Sequence, residues 1–63
     1  MPVIEVKMLS GRSAEQRKEI VRQITDVMVN VAGARKEAVS VILHESSPEH
    51  YAVGGELFAE KIK

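Results

Sequence analysis

The sequence predicts an α/β fold, a β-α-β protomer in which two parallel strands are joined by one long helix and followed by a short C-terminal hairpin. Three observations lead to this fold class. Two segments alternate with the period of a strand, and the segment between them repeats apolar residues at helical spacing. A strand, a long helix and a second strand form a unit whose strands run parallel, with a right-handed crossover.

The first strand is predicted from Val3 to Leu9. Its residues alternate between the two faces of the strand, with Ile4, Val6 and Met8 on one face. The other face carries both apolar and charged residues, namely Val3, Glu5, Lys7 and Leu9. A turn with the sequence SGR follows and leads into the helix.

The helix is predicted from about Ser13 to Ala32. Ser13 and Gln16 have the spacing of a capping box, in which each side chain bonds to the backbone nitrogen of the other residue. Gly33 is a typical residue to end a helix. One face of the helix is apolar and is formed by Ile20, Val21, Ile24, Val27, Met28 and Val31.

The second strand is predicted in the segment AVSVILHE, residues 38–45. One face carries Val39, Val41 and Leu43, and the other carries Ser40, Ile42 and His44. Because one helix can cover only one face of a two-stranded sheet, we expect the second face to pack against another subunit.

Turn-forming residues dominate the segment that follows. SSPEH is predicted to be a loop, because Pro48 lacks a backbone donor and its neighbours favour turns. YAVGGELF is predicted to be a short extended or hairpin segment hinged at Gly54 and Gly55, followed by a charged tail.

The composition fits one small domain spanning residues 1–63 and excludes several functional classes. Nine basic and nine acidic residues balance, so the charge pattern of a nucleic-acid-binding protein is absent. No apolar run approaches the roughly 18 residues of a membrane span, and no signal peptide is visible. The chain has no cysteine and hence no disulfide framework or thiolate metal site. We expect a soluble, cytoplasmic protein that binds neither nucleic acid nor membrane.

The amount of apolar sequence points to self-association. Hydrophobic residues make up 44% of the chain, yet a lone domain of this size obtains only about 3–5 kcal/mol from its core. Without disulfides, partner subunits are the expected source of further stability. We therefore expect an obligate oligomer.

Four potential metal ligands lie close together in the segment HESSPEH: His44, Glu45, Glu49 and His50. Zinc motifs of this length normally present their ligands on a helix, which Pro48 disfavours. We therefore expect no metal site, and we expect His44 on a strand face at an interface.

The parallel arrangement also predicts which residues lie together. The strands begin at the same edge, so Pro2, the loop 33–37 and Ser40 are expected at one end of the protomer. The seven strand steps from Pro2 to Leu9 span about 23 Å, at about 3.3 Å per residue. Arg12 lies beyond that far end. If Pro2 and Arg12 act in one site, they must come from different subunits.

Several segments of the chain carry a family resemblance. The chain begins MP and continues into a strand, carries LSGRS with EQ at the helix start, and later VSVILHE and HYAVGGEL. In this order and spacing it resembles the 4-oxalocrotonate tautomerase family over essentially its whole length. The resemblance implies β-α-β protomers that assemble as dimers and usually hexamers, with a homohexameric trimer of dimers expected here and no cofactor. It also implies keto–enol isomerisation of small carboxylate substrates in aromatic catabolism, such as 2-hydroxymuconate-like or phenylenolpyruvate-like acids.

The resemblance assigns roles to individual residues. Pro2 would be the general base, because removal of Met1 converts its amide nitrogen into a secondary amine. Arg12 of a neighbouring subunit would bind the substrate carboxylate, for which a guanidinium is well suited. Tyr51 would form an aromatic wall where the best-known members carry phenylalanine, and Val53 could add to the apolar surroundings. Apolar walls and a nearby cation disfavour the protonated amine and lower its pKa.

Ser40 departs from the family pattern, because well-studied diacid-processing members carry an arginine there. A serine hydroxyl can donate one hydrogen bond, but it cannot pair with a carboxylate or neutralise enolate charge. The sequence therefore predicts inefficient turnover of the diacid. Arg35, in the loop at the same end, is a candidate for the missing cation.

Two alternatives stay open beside the tautomerase. The same scaffold could add water to an unsaturated or halogenated acid, as a hydratase or dehalogenase. No extra carboxylate is placed to activate that water, which favours tautomerisation. The other alternative is a non-enzymatic oligomeric homologue with a vestigial pocket, in which Pro2 only opens a strand and Arg12 is a solvated turn residue. Ser40 favours this alternative.

Overall fold

The structure is a computed structural model that describes residues 1–61. The strands and helices, in chain order, are β1 (Val3–Leu9), α1 (Ala14–Asn30), β2 (Ser40–Ser46), β3 (Ala52–Val53), β4 (Glu56–Leu57) and α2 (Phe58–Lys61). Two single 3₁₀ turns, Lys36–Ala38 and Pro48–His50, flank β2. The predicted β-α-β order with a C-terminal hairpin is confirmed.

Strands β1 and β2 form a parallel two-stranded sheet. The register pairs Val3 with Ser40 and continues to Leu9 opposite Ser46. Backbone hydrogen bonds extend the ladder beyond both ends. The Ser40 N–H donates to the Pro2 carbonyl at 3.0 Å, and the Ser10 N–H donates to the Ser46 carbonyl at 2.8 Å. The predicted bounds of β1 are confirmed, because this alternating segment pairs along its whole length.

Helix α1 begins at the capping box that the sequence predicts. The Ser13 hydroxyl accepts from the Gln16 N–H at 3.1 Å, and the Gln16 side chain accepts from the Ser13 N–H at 2.9 Å. The predicted end at Ala32 is wrong by two residues, because the last helical residue is Asn30. The chain then turns through Gly33, whose φ of 74° lies in the left-handed region that glycine adopts without strain.

The helix covers one face of the sheet. Arg17 of α1 and Glu45 of β2 form an ion pair at 3.6 Å, which places the helix on the face that carries Glu45. Side chains alternate along a strand, so Val41 and Leu43 share that face. The side chains half-buried between the helix and the two strands are Ile4, Val6, Met8, Val41, Leu43, Ile20, Val21, Ile24 and Met28.

The opposite face of the sheet is open in the protomer. Val3 is 58% exposed and Ile42 is 43% exposed, and both lie on this face. Among residues 1–61 no side chain is fully buried. The radius of gyration is 14.8 Å, whereas a compact chain of this length has a radius of about 11 Å. One protomer therefore does not enclose a core of its own.

Two predicted boundaries around β2 are corrected. The strand begins at Ser40 rather than at Ala38, because residues 36–38 form a 3₁₀ turn, and it ends at Ser46 rather than at Glu45, because Ser46 still pairs with Leu9. In that turn the Ala38 N–H donates to the Arg35 carbonyl at 2.9 Å. The segment after β2, predicted to be a loop, contains the 3₁₀ turn Pro48–His50, with proline at a position where its missing N–H costs no hydrogen bond.

The C-terminal segment forms the predicted hairpin. Strands β3 and β4 pair antiparallel and are joined by Gly54 and Gly55, whose φ values are 64° and 81°. Two consecutive positive φ values are typical of the tight turns that join hairpin strands. The predicted charged tail begins within helix α2. The last two residues of the tail, 62–63, lie outside the described residues. Within residues 1–61, no helix has the length and apolar character needed to cross a membrane.

Candidate active site

Pro2 and Ser40 lie side by side at the amino-terminal end of the sheet. The Ser40 N–H donates to the Pro2 carbonyl at 3.0 Å, so residue 2 is fixed against the first residue of β2. Both residues are half-buried in the protomer. The sequence predicts this neighbourhood from the parallel topology, and that prediction is confirmed.

Arg35 precedes the 3₁₀ turn that leads into β2. Its carbonyl accepts from the Ala38 N–H, which anchors its backbone five residues before Ser40. Its side chain is exposed, and its guanidinium makes no hydrogen bond or ion pair within residues 1–61. Arg35 is therefore a cation near the start of β2 that has no partner among residues 1–61.

Arg12 lies in the turn beyond the other end of β1. The Ser10 N–H is bonded to Ser46, and Gly11 adopts a φ of 122°, which reverses the chain toward α1. The Arg12 carbonyl accepts a hydrogen bond from Arg17 Nη1 at 2.6 Å. The Arg12 guanidinium itself has no hydrogen bond or ion pair in the described part of the chain.

A groove of about 270 Å³ opens beside this turn. Its lining residues are Arg12, Gln16, Glu19, Ile20 and Gln23. The Glu19 carboxylate accepts hydrogen bonds from Arg22 and Gln23, and these bonds lower the pKa of Glu19 from 4.5 to about 2. Glu19 is therefore paired with Arg22 and Gln23, whereas the Arg12 guanidinium of the same groove has no partner within residues 1–61.

Tyr51 and Val53 belong to the C-terminal segment, which leaves the sheet from the end opposite Pro2. The Tyr51 and Phe58 rings meet edge to face, with 6.3 Å between their centroids, and the Phe58 N–H donates to the Tyr51 carbonyl at 2.7 Å. Tyr51 is 37% exposed and Val53 is 52% exposed. The hairpin packs on the turn Pro48–His50 and on α2.

The predicted site residues therefore fall into two groups in one protomer. The amino-terminal group contains Pro2, Ser40 and Arg35. The carboxyl-terminal group contains Arg12, Tyr51 and Val53, and it lies beyond the other end of strands about 20 Å long. The first group offers the Pro2 position, the Ser40 hydroxyl and the Arg35 guanidinium, whereas the second offers the Arg12 guanidinium and the partly exposed side chains of Tyr51 and Val53. Pro2 and Arg12 therefore lie at opposite ends of one protomer.

The two histidines have separate partners. His44 Nε2 lies 3.1 Å from Glu5 Oε1 on the open face of the sheet, and His50 Nδ1 lies 3.1 Å from Ser47 Oγ. Across residues 1–61, no three acidic or histidine side chains come together as metal ligands.

One arginine near the site was missed by the sequence interpretation. Arg17 contacts both the Arg12 carbonyl and Glu45, so it links the SGR turn to β2. A weak signal exists in the sequence, because side chains in a first helical turn lean toward the helix start and so toward the preceding turn. The partner Glu45 is remote in sequence and gives no such signal.

The fold is that of a tautomerase. Residues 2–61 match the family model described as tautomerase enzyme, and the chain belongs to this family. A probable tautomerase of Staphylococcus epidermidis, SERP0934, is 49% identical over 55 residues, which cover 87% of this chain and 90% of that protein.

Solved structures show the same fold. A crystal structure of a 4-oxalocrotonate tautomerase homologue is 38% identical, with a TM-score of 0.91 over the full length of both chains. A heterohexameric 4-oxalocrotonate tautomerase from Chloroflexus aurantiacus is 33% identical, with a TM-score of 0.88 over 95% of this chain and 97% of that chain. The family resemblance read from the sequence is thus confirmed.

Proposed function

We propose that this protein is an enol–keto tautomerase that acts on small 2-hydroxy-alkenoic acids and uses the Pro2 amine as its general base. The observation that carries the proposal is the position of Pro2. It stands at the amino-terminal end of a strand in a tautomerase fold, where its carbonyl accepts a hydrogen bond from the Ser40 N–H. Membership of the tautomerase family supports the same reaction class.

The reaction needs only one group that accepts and returns a proton. The Pro2 amine takes the proton from the enol hydroxyl, and the electron pair of that O–H bond forms the carbonyl. The prolinium then returns the proton to the far carbon of the adjacent double bond, whose π electrons form the new C–H bond. Atoms and charge balance without a cofactor, and a base whose pKa lies near the working pH performs both transfers well.

Pro2 can act in this way only when its nitrogen is free. While Met1 is attached, the nitrogen belongs to a tertiary amide and has no useful basicity. Removal of Met1 leaves a secondary amine, which is a proton acceptor. We therefore include removal of Met1 in the proposal.

Assembly completes the proposed site. We propose a homo-oligomer, most simply a hexamer built as a trimer of dimers, in which Arg12 of one subunit faces Pro2 of another. The absence of any fully buried side chain within residues 1–61 supports this, as do the exposed Val3 and Ile42 on the open sheet face. The separation of the two residue groups supports it further, because one protomer cannot bring them together.

The carboxylate would bind to Arg12, whose guanidinium has no partner in the described part of the chain. A planar guanidinium can donate two parallel hydrogen bonds to a carboxylate. Tyr51 and Val53, on the same side of the protomer as Arg12, would supply apolar walls. At the Pro2 end, Ser40 would donate one hydrogen bond, which by itself favours a monoacid over a diacid, and Arg35 would supply the positive charge that Ser40 lacks.

The test combines intact mass with activity. Mass spectrometry of the protein from its native host is expected to show loss of Met1. An ultraviolet assay with 2-hydroxymuconate and phenylenolpyruvate is expected to show turnover that Pro2→Ala abolishes, while Lys18→Ala, a change at an exposed position of α1, retains most of it. Uniform retention of Met1, or equal rates for Pro2→Ala and wild type, would contradict the proposed base. Inactivity of the processed wild type would favour the vestigial pocket.

A further inference from the structure

We propose that Arg17 and Glu45 form a positioning pair that sets the direction of Arg12. In this inference the pair governs how tightly the substrate carboxylate binds, while the proton transfer at Pro2 is independent of it. The inference rests on the proposed function, in which Arg12 is the carboxylate receptor, and it assigns a role to two residues outside that receptor.

The contacts of Arg17 carry the inference. Its Nη1 donates to the Arg12 carbonyl at 2.6 Å and lies 3.6 Å from Glu45 Oε1. The side chains of Arg17 and Glu45 are 40% and 24% exposed, so the pair lies partly under the protein surface. A hydrogen bond donated by a charged group is stronger than one between neutral groups.

Arg17 also holds the next carbonyl of the same turn. Its backbone N–H donates to the Ser13 carbonyl at 3.0 Å, the first ladder bond of α1. Arg17 therefore binds the carbonyls of two consecutive residues of the turn: its side chain binds that of Arg12, and its backbone N–H binds that of Ser13. The Arg12 carbonyl lies just outside the helix, where Arg17 Nη1 is its donor.

Glu45 orients the Arg17 side chain toward the SGR turn. It lies on the helix-covered face near the carboxyl end of β2, opposite Met8 in the register. Without the carboxylate, the Arg17 side chain would be free to turn toward solvent, because long side chains gain rotamer entropy when released. With it, the guanidinium spans from β2 to the SGR turn. The turn is then fixed to β2 both here and through the bond from Ser10 to Ser46.

The position of Arg12 depends on this backbone restraint. Its guanidinium has no partner of its own within residues 1–61 that could orient it. In the proposed site it must meet a carboxylate held beside Pro2 of another subunit. A guanidinium that is no longer held in one direction loses more rotamer entropy when it pairs with the carboxylate. A looser turn therefore weakens carboxylate binding.

The main experiment compares Arg17→Met with Lys18→Met in the assembled protein. Lys18 is an exposed neighbour on the same helix and makes no hydrogen bond or ion pair within residues 1–61, so its variant is a matched control. We expect Arg17→Met to raise KM by about tenfold, the size of one charged hydrogen bond, with little change in kcat. The pH dependence of kcat should be unchanged, because Pro2 is not affected. Arg17→Lys, which keeps the charge, should recover part of the lost affinity.

Glu45→Gln provides a second variant, since it preserves the shape of the side chain and removes its charge. If Arg17→Met does not assemble, this variant carries the test, with an expected rise in KM and an unchanged pH profile. A fall in kcat with KM constant, or a shifted pH profile, would overturn the inference for either variant.

A double mutant separates this inference from the proposed function. In an Arg12→Ala background, Arg17→Met should raise KM no further, because its effect passes through Arg12. An equal rise in both backgrounds would overturn the positioning role and leave the base untouched. A KM that does not respond to Arg12→Ala would overturn both the receptor and the positioning pair. Activity that survives Pro2→Ala would instead contradict the proposed base, whatever Arg17 does.

Discussion

The backbone of Ser40 is hydrogen-bonded to the backbone of Pro2, with 3.0 Å between the Ser40 nitrogen and the Pro2 carbonyl oxygen. This bond is the first rung of the parallel sheet, and it holds residue 40 next to the proposed base. Any side chain at position 40 therefore begins within reach of a substrate at Pro2. The identity of that side chain should decide which acids are processed.

Ser40→Arg is expected to improve turnover of a diacid more than that of a monoacid. An arginine can bind the second carboxylate and stabilise enolate charge, and a charged hydrogen bond contributes about 1.5–3 kcal/mol. We expect kcat/KM for 2-hydroxymuconate to rise about tenfold relative to that for phenylenolpyruvate. Ser40→Met, which adds length without charge, should give no such preference. A larger gain for the monoacid would contradict this account of Ser40.

Arg35→Ala tests whether Arg35 supplies the cation that Ser40 lacks. Its guanidinium is exposed and unpaired within the described residues, so its removal should cost little stability. If Arg35 stabilises the developing enolate, kcat/KM should fall about tenfold or more in the ultraviolet assay. Lys36→Ala removes the neighbouring charge and should change the rate much less. Unchanged activity in Arg35→Ala would remove this residue from the proposed site.

Mixed subunits test whether Pro2 and Arg12 of one site come from different chains. Inactive Pro2→Ala and impaired Arg12→Ala proteins would be unfolded together and refolded. In random assembly about one site in four then receives both native residues, so activity should return to about a quarter of the wild-type value. If both residues of a site came from one chain, no mixed assembly would contain a complete site. In that case the refolded mixture would have only the average activity of the two separate variants, and this result would contradict a site shared between chains.

Part of this architecture is predictable from the sequence because it depends on local patterns. The alternation in Val3–Leu9 gives β1 its bounds, and the Ser13 and Gln16 pair gives the start of α1. The end of α1 is less predictable. Val31 continues the apolar pattern, but the chain has already left the helix after Asn30. A periodic pattern reports which side of a helix faces the core, and it does not report where the hydrogen-bond ladder stops.

The candidate site is predictable only where topology determines it. Parallel strands place Pro2 beside Ser40, and the length of β1 separates both from Arg12. The contact between Arg17 and Glu45 depends on how the helix lies over the sheet, which no local pattern encodes. The 3₁₀ turn before β2 is another example, because single bonds such as that from Ala38 to Arg35 leave no trace in the hydrophobic pattern.

Acid should weaken the contribution of Glu19 to stability. Hydrogen bonds from Arg22 and Gln23 lower its pKa from 4.5 to about 2. A lowered pKa in the folded state means that the ionised carboxylate stabilises the fold above about pH 4.5, and that this contribution is lost as the pH falls toward 2. Glu19 is exposed, so the effect is small. Glu19→Gln should lower Tm slightly at pH 7, and less at pH 3 at equal protein concentration. A difference in Tm that stays constant would contradict this interpretation.

Ile42→Lys tests whether the open face of the sheet is a subunit interface. Ile42 is 43% exposed in the protomer and lies on the same face as Val3. Full burial of such a side chain stabilises an assembly by about 1.5–3 kcal/mol, and a buried unpaired lysine costs more than that gain. Symmetry repeats the cost in every subunit, so light scattering should show smaller species at equal concentration. Because the proposed site needs two subunits, tautomerase activity should fall with the assembly. Asn30→Lys places the same charge at the exposed end of α1 and should change neither property. An Ile42→Lys protein with the wild-type mass would show that this face is not the interface.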